Sequence, residues 1–186
     1  SSSSSSSSSD DIDDAYTNRW TVVVKALTAL SALVRSDDQP QIRESFMRAD
    51  GFAKLCALLQ NTNTTTRVQT KIFTFLKHIF SWFPHTKPLA LQNGTVALLI
   101  SSIGKSSDIN NREACLRALL EFAKKTGNAN EQAAAKELRA KSLGLKEILT
   151  QRSKQLKTIA AQSREDKDQV EEESQHVHAL TKACKF

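Results

Sequence analysis

Histidine and cysteine are the residue types here with the most obvious chemical potential, four of one and three of the other in 186 residues. Their spacing directs them away from catalysis. His176 and His178 stand two apart, which puts them on different faces of a helix, and no nearby cysteine or acid completes a tetrahedral metal set. Cys56, Cys115 and Cys184 are odd in number and widely spaced, unlike a disulfide framework, and read as small buried apolar residues. Ser31 lies inside a helical pattern, whereas a hydrolase serine sits on a strand-to-helix turn. No paired acids and no Gly-rich phosphate loop are present. The expectation is a non-enzyme with no cofactor and no metal. What the polar residues can do is recognise. Three sets recur at corresponding places in three helical segments: Lys25, Thr28 and Ala32; Lys71, Thr74 and His78; Glu113 (or Leu116), Arg117 and Glu121. The candidate partner-binding residues are Lys25, Thr28, Lys71, Thr74, His78 and Arg117. His78 is either a titrating contact or simply a partly exposed polar side chain.

Those sets need helices to hold them, and the apolar residues supply the period. Val68, Ile72, Phe75, Leu76, Ile79 and Phe83 fall at i, i+4, i+7, i+8, i+11 and i+15, one broad stripe of an α-helix. Phe73 and Phe80 add apolar surface outside it, as a helix buried on two sides requires. Val23, Leu27, Leu30 and Val34 repeat the design earlier, and Leu116, Leu119, Leu120 and Ala123 repeat it later. The loop 61–66 offers several N-caps, Pro84 stops the middle segment, and Thr126-Gly127 reads as an αL cap of the later one. Trp20, Trp82 and Phe83 read as packing between repeats, with an exposed anchor as the alternative for Trp82.

Gly51, Gly94 and Gly144 each fall between a short helix and the next apolar run, where a residue free to take positive φ turns the chain sharply. The spacing from Gly51 to Gly94 is 43 residues, and from Lys25 to Lys71 it is 46. Periods near 40 to 47 with two or three helices per copy mark armadillo or HEAT solenoids. The fold class expected is all-α: an armadillo/HEAT-like right-handed solenoid of three-helix repeats with a C-terminal helical cap. Such an array presents a curved surface to another macromolecule. Residues 1–15 are expected to be a disordered polyserine and acidic lead, 16–163 the repeats, and 164–186 a capping helix.

Composition narrows the partner. No run is long and apolar enough to span a membrane. The start, which lacks an initiator Met, reads as a fragment or an engineered beginning, and no signal segment is recognised there, so a cytoplasmic location is expected. The net charge of +6 comes largely from 136–157, while 165–173 swings acidic, the pattern of a solvated helical tail. Nucleic acid is not the expected partner, because no continuous basic stripe interleaves with aromatics. A monomer is expected.

The blocks Val24-Lys25-Ala26-Leu27-Thr28-Ala29-Leu30-Ser31-Ala32-Leu33-Val34-Arg35, Arg48-Ala49-Asp50-Gly51-Phe52 and Arg67-Val68-Gln69-Thr70-Lys71 resemble the armadillo-type nucleotide exchange factors of heat-shock protein 70 chaperones. So do Leu143-Gly144-Leu145-Lys146-Glu147-Ile148-Leu149-Thr150-Gln151-Arg152 and a closing helix with Leu180, Cys184 and Phe186. The likeness spans roughly residues 18 to 186. The first block is shared by armadillo proteins in general; the Leu-Gly-Leu block leading into a terminal tail is more specific. Members usually carry further repeats before the first block, where this chain has serines and aspartates. The resemblance implies a cochaperone whose concave face embraces one lobe of the chaperone's ATPase domain and promotes ADP release. The alternative is an armadillo scaffold for an extended peptide, as in nuclear import or adaptor proteins; those grooves use recurring Trp and Asn, which the three sets above lack.

Overall fold

A computed structural model describes residues 10–36, 39–125, 127–140, 143–162 and 167–186. The polyserine 1–9, Thr126 and Ser142 of two expected turns, and the boundary at 163–166 lie outside the described residues. Every regular element among the described residues is an α-helix. They are α1 (Asp10–Arg35), α2 (Pro40–Arg48), α3 (Gly51–Gln60), α4 (Thr66–Trp82), α5 (Thr86–Gln92), α6 (Thr95–Lys105), α7 (Ile109–Ala123), α8 (Ala129–Glu137), α9 (Leu145–Gln162) and α10 (Lys167–Cys184).

Local chemistry sets the ends. The Thr65 hydroxyl accepts from the Val68 N–H and caps α4, which stops at Trp82, two residues before Pro84. Asp108 accepts from the Asn110 N–H to open α7. Asn128 opens α8 with a reciprocal pair: its side chain accepts from the Asn130 and Glu131 amides, while Glu131 accepts from the Asn128 N–H, satisfying donors the helix cannot satisfy itself. Two expectations shift here. α1 begins at Asp10, so residues 10–15 of the anticipated disordered lead are helical. Gly127 (φ 86°) is not the cap of α7, because that helix already ends at Ala123 with Lys124 as its C-cap.

The turn before each middle helix also has two solutions. Gly94 takes the left-handed conformation (φ 79°) ahead of α6, as expected. Ahead of α3 the left-handed residue is Asp50 (φ 56°), and Gly51 is already helical. Gly51 is needed for a different reason: a Cβ on it would come within 2.3 Å of the Phe46 ring, which packs against Phe75 with ring centroids 5.2 Å apart.

Packing follows a recurrent order. α1 packs on α4, α4 on α7, and α7 on α10, while α3 meets α6, α6 meets α9, and α5 meets α8. The long helices thus follow one another, and α4, α7 and α10 each have a middle helix (α3, α6, α9) beside them. The core runs without a break from Trp20 to Cys184. Val68, Ile72, Phe73, Phe75, Leu76, Ile79 and Phe80 of α4 are all buried, so α4 is covered on two flanks as its extra phenylalanines required. The three cysteines are buried. In the C-terminal segment α8, unrecognised in the sequence, sits beside α5, and α10 packs on α7 as α7 packs on α4.

A buried ion cluster fastens that last unit. Glu173 of α10 is fully buried and receives paired hydrogen bonds from two guanidinium groups. Arg112 of α7 donates Nε to Oε1 and Nη2 to Oε2, both at 2.9 Å. Arg152 of α9 donates to the same two oxygens at 2.7 and 2.9 Å. Burial by itself pushes the carboxyl up, but the hydrogen bonds and charges of Arg152 and Arg112 outweigh it and hold Glu173 below the ordinary carboxylate value.

Two outcomes are expected from these contacts. E173Q should lower unfolding free energy by about 3–5 kcal/mol, since it leaves two arginines facing a neutral group in a dry site. With a depressed carboxyl, the Glu173 contribution is complete above the unfolded carboxylate range and fades as pH falls through the folded value. The variant's urea midpoint should therefore vary less with pH on the acid side than the parent's. At the first turn, G51A should cost about 1–3 kcal/mol by overpacking, whereas D50G should be neutral or stabilising because it relieves a left-handed non-glycine. Equal losses for the two would refute the division of labour between these neighbours.

Candidate functional site

The six candidate residues sit on the long helices α1, α4 and α7, on exposed or half-buried positions beside the buried apolar stripes. Lys25, Thr28 and Ala32 of α1 are exposed, as are Lys71 and Thr74 of α4. The threonine hydroxyls donate to the carbonyls one turn back, Thr28 to Val24 at 2.8 Å and Thr74 to Thr70 at 2.9 Å, which leaves each oxygen able to accept. On α7, Leu116 is fully buried, so Glu113 takes the place that the sequence left open between the two.

Electrostatics link the rows. His78 is half-buried; burial, then Lys77 and Arg35, push its pKa down, and Glu121 opposes them. Arg35 belongs to α1 and Glu121 to α7, so charges from both neighbouring helices reach one imidazole on α4. The ring is held in place by Trp82, stacked on it at 5.2 Å, and the Arg43 guanidinium covers that tryptophan, 4.4 Å from a ring centroid. Arg43 is itself anchored at the end of α1, donating Nε to the Val34 carbonyl at 2.9 Å and Nη2 to the Ser36 carbonyl at 3.3 Å. This places a cation where the helix dipole favours one.

Arg117 has a different situation from the other five candidates. It pairs with Glu172 of α10, donates Nε to His176 Nε2 at 3.2 Å, and lies 3.6 Å from Glu113. Because His176 Nδ1 lies 2.8 Å from the Glu172 carbonyl, the consistent tautomer carries its proton on Nδ1 and accepts from Arg117 at Nε2. Burial raises the Glu113 carboxyl and Glu172 adds to that, against Arg117 and His176. The third row is therefore an ion network between α7 and α10, and Glu172 and His176 join the face as a fourth row that sequence reasoning missed. The signal was weak because the buried stripe of α10 runs Val170, Glu173, Val177, Leu180, Cys184, with a glutamate at a core position. Asn111 is likewise turned inward, its Nδ2 donating to Thr70 Oγ1 at 3.0 Å, so it fastens α7 to α4 and does not face a ligand.

The face carries mixed charge, exposed donors and short hydroxyl side chains, with its hydrocarbon on the other side of the helices. A scan against protein-family models finds no match to this chain, and a search of curated proteins finds none either.

An NMR titration of the His78 ring should give a midpoint below the ordinary histidine range. The sign for stability follows: the unfolded chain binds the proton first, so stability contributed by neutral His78 is full above the unfolded value and declines as pH falls below it. R35A should move the midpoint upward by removing a neighbouring cation; a midpoint unchanged in R35A would show that the two residues do not share one face.

Proposed function

We propose that this chain is a cochaperone: an armadillo-type, right-handed solenoid that binds the ATPase domain of a heat-shock protein 70 through its concave face and promotes ADP release. Three triplets, α2–α3–α4, α5–α6–α7 and α8–α9–α10, are the repeats in this reading, with α1 the last helix of a preceding one. The concave face is the polar side of α1, α4, α7 and α10. The observation that carries the reading is that this side keeps Lys25, Thr28, Lys71 and Thr74 exposed while α4 and α7 bury their apolar stripes elsewhere. It is supported by the likeness of 24–35, 48–52 and 143–152 to the exchange-factor family.

Exchange requires differential affinity. A factor that gripped the closed, ADP-bound chaperone and the open one equally would shift nothing. A rigid row of helices wrapped on one lobe meets that requirement by leaving no room for the other lobe in its closed position. Four rows offer a surface of the size a specific complex needs, roughly 1,200–2,000 Å² in total. Lys71 and Thr74 lie on a central helix of the row, where hot spots concentrate. The three buried thiols suit a reducing compartment, and the cytosol is the setting assigned. The peptide-scaffold alternative draws no support from Asn111, which is used between helices.

The test is stopped-flow release of a fluorescent ADP from a purified chaperone ATPase domain. Saturating protein should accelerate release, and K71E/T74W should weaken binding by at least about tenfold, or about 1.4 kcal/mol. Release unchanged by saturating protein would sink the proposal.

A further inference from the structure

The outer ends of α9 and α10 form a groove that the concave face does not include. α9 contributes Lys146, Leu149, Thr150, Ser153, Lys154 and Lys157, at i, i+3, i+4, i+7, i+8 and i+11, a single helical face. α10 contributes Glu171, Ser174, Val177, His178 and Thr181, and Phe186 just beyond it completes the lining. The space between them is about 600 Å³. Its floor is apolar, with buried Leu149 and Val177 and half-buried Phe186. Its wall is basic: all three lysines are exposed and none has an ion-pair partner among the described residues. Glu171 is the one acidic side chain lining it, against three lysines.

The packing order shows what such a surface accepts. α3 and α4 receive α6 and α7, and α6 and α7 in turn receive α9 and α10. The pair α9 and α10 presents the corresponding flank with no further helix of the described residues upon it. We propose that this groove binds an acidic amphipathic helix of a partner protein, with leucine-like side chains on the Leu149–Val177–Phe186 floor and carboxylates against Lys146, Lys154 and Lys157. Helix-in-groove recognition uses this division, apolar anchors for affinity and charges for register and approach. A nucleic acid would need a continuous phosphate track with stacking platforms; the apolar floor of Leu149, Val177 and Phe186 suits a peptide instead. This surface is separate from the concave face, so it stands or falls independently of the exchange activity.

The probe is a fluorescein-labelled peptide of about four helical turns, with leucines on one face and glutamates on the other, followed by fluorescence anisotropy with the full chain. It should bind saturably and more weakly as salt rises. K146E/K154E/K157E should lose at least about tenfold in affinity with unchanged helicity, because all three side chains are exposed. E171Q should bind more tightly, a gain that general damage does not produce, and F186A should weaken binding without altering its salt dependence. The proposal is overturned by an absence of saturable binding, by equal affinity in the triple variant, or by a polythymidylate oligonucleotide binding as tightly as the peptide.

Discussion

α4 must hide apolar surface on two flanks and still leave one side to water, and the rest of the fold is arranged around that demand. Ile72, Phe75, Leu76 and Ile79 form the main stripe and Phe73 and Phe80 the second flank; all are buried. At roughly 1.5–3 kcal/mol for each large side chain removed from water, no isolated helix could leave both flanks uncovered. α1 and α7 supply the two covers. α1 shows the contrast, since α4 is its one long-helix neighbour among the described residues, and it keeps Val22 and Leu33 exposed.

Hydrophobic burial fixes neither sliding nor rotation of one helix along the next, because it has no direction. Directional contacts do that here. Asn111 ties α7 to Thr70 on α4, and Lys87, fully buried on α5, donates its ammonium to the Lys124 carbonyl at 2.8 Å just past α7. Burial depresses the Lys87 pKa, partly offset by Glu121 and Glu131 nearby. Glu173 gathers α7, α9 and α10 on one carboxylate. Each is a buried polar group whose partner lies on a different helix, so misplacing that helix strands a charge or a donor.

The same contacts decide which candidate residues remain available. Lys71 and Thr74 face water because nothing on α1 or α7 reaches across to them. Arg117 belongs to the same face, but α10 brings Glu172 and His176 to it, and its donors are largely used within the chain. The third and fourth rows carry a preassembled set of charges, whereas the first two rows carry independent side chains.

Helix content, the apolar stripes of α1, α4 and α7, the cap before α4 and the stop at Pro84 were legible in the sequence, because 3.6-residue periodicity and turn chemistry are local. All six candidate recognition residues fall on exposed or half-buried positions, where the same periodicity put them. The helix α8 and the role of α10 were not legible: alanines carry little period, and Glu173 interrupts the stripe of α10 with a charge. Only folding brings Arg112 and Arg152, which lie 61 and 21 residues away in the chain, to that carboxylate and makes it a core residue. Likewise Gly51 looked like a turn glycine, but the turn fell to Asp50 and the ring of Phe46 claimed the space. Local spacing determines which face of a helix is apolar; which neighbour covers it, and which charges that neighbour neutralises, depends on contacts between distant segments that no local pattern encodes.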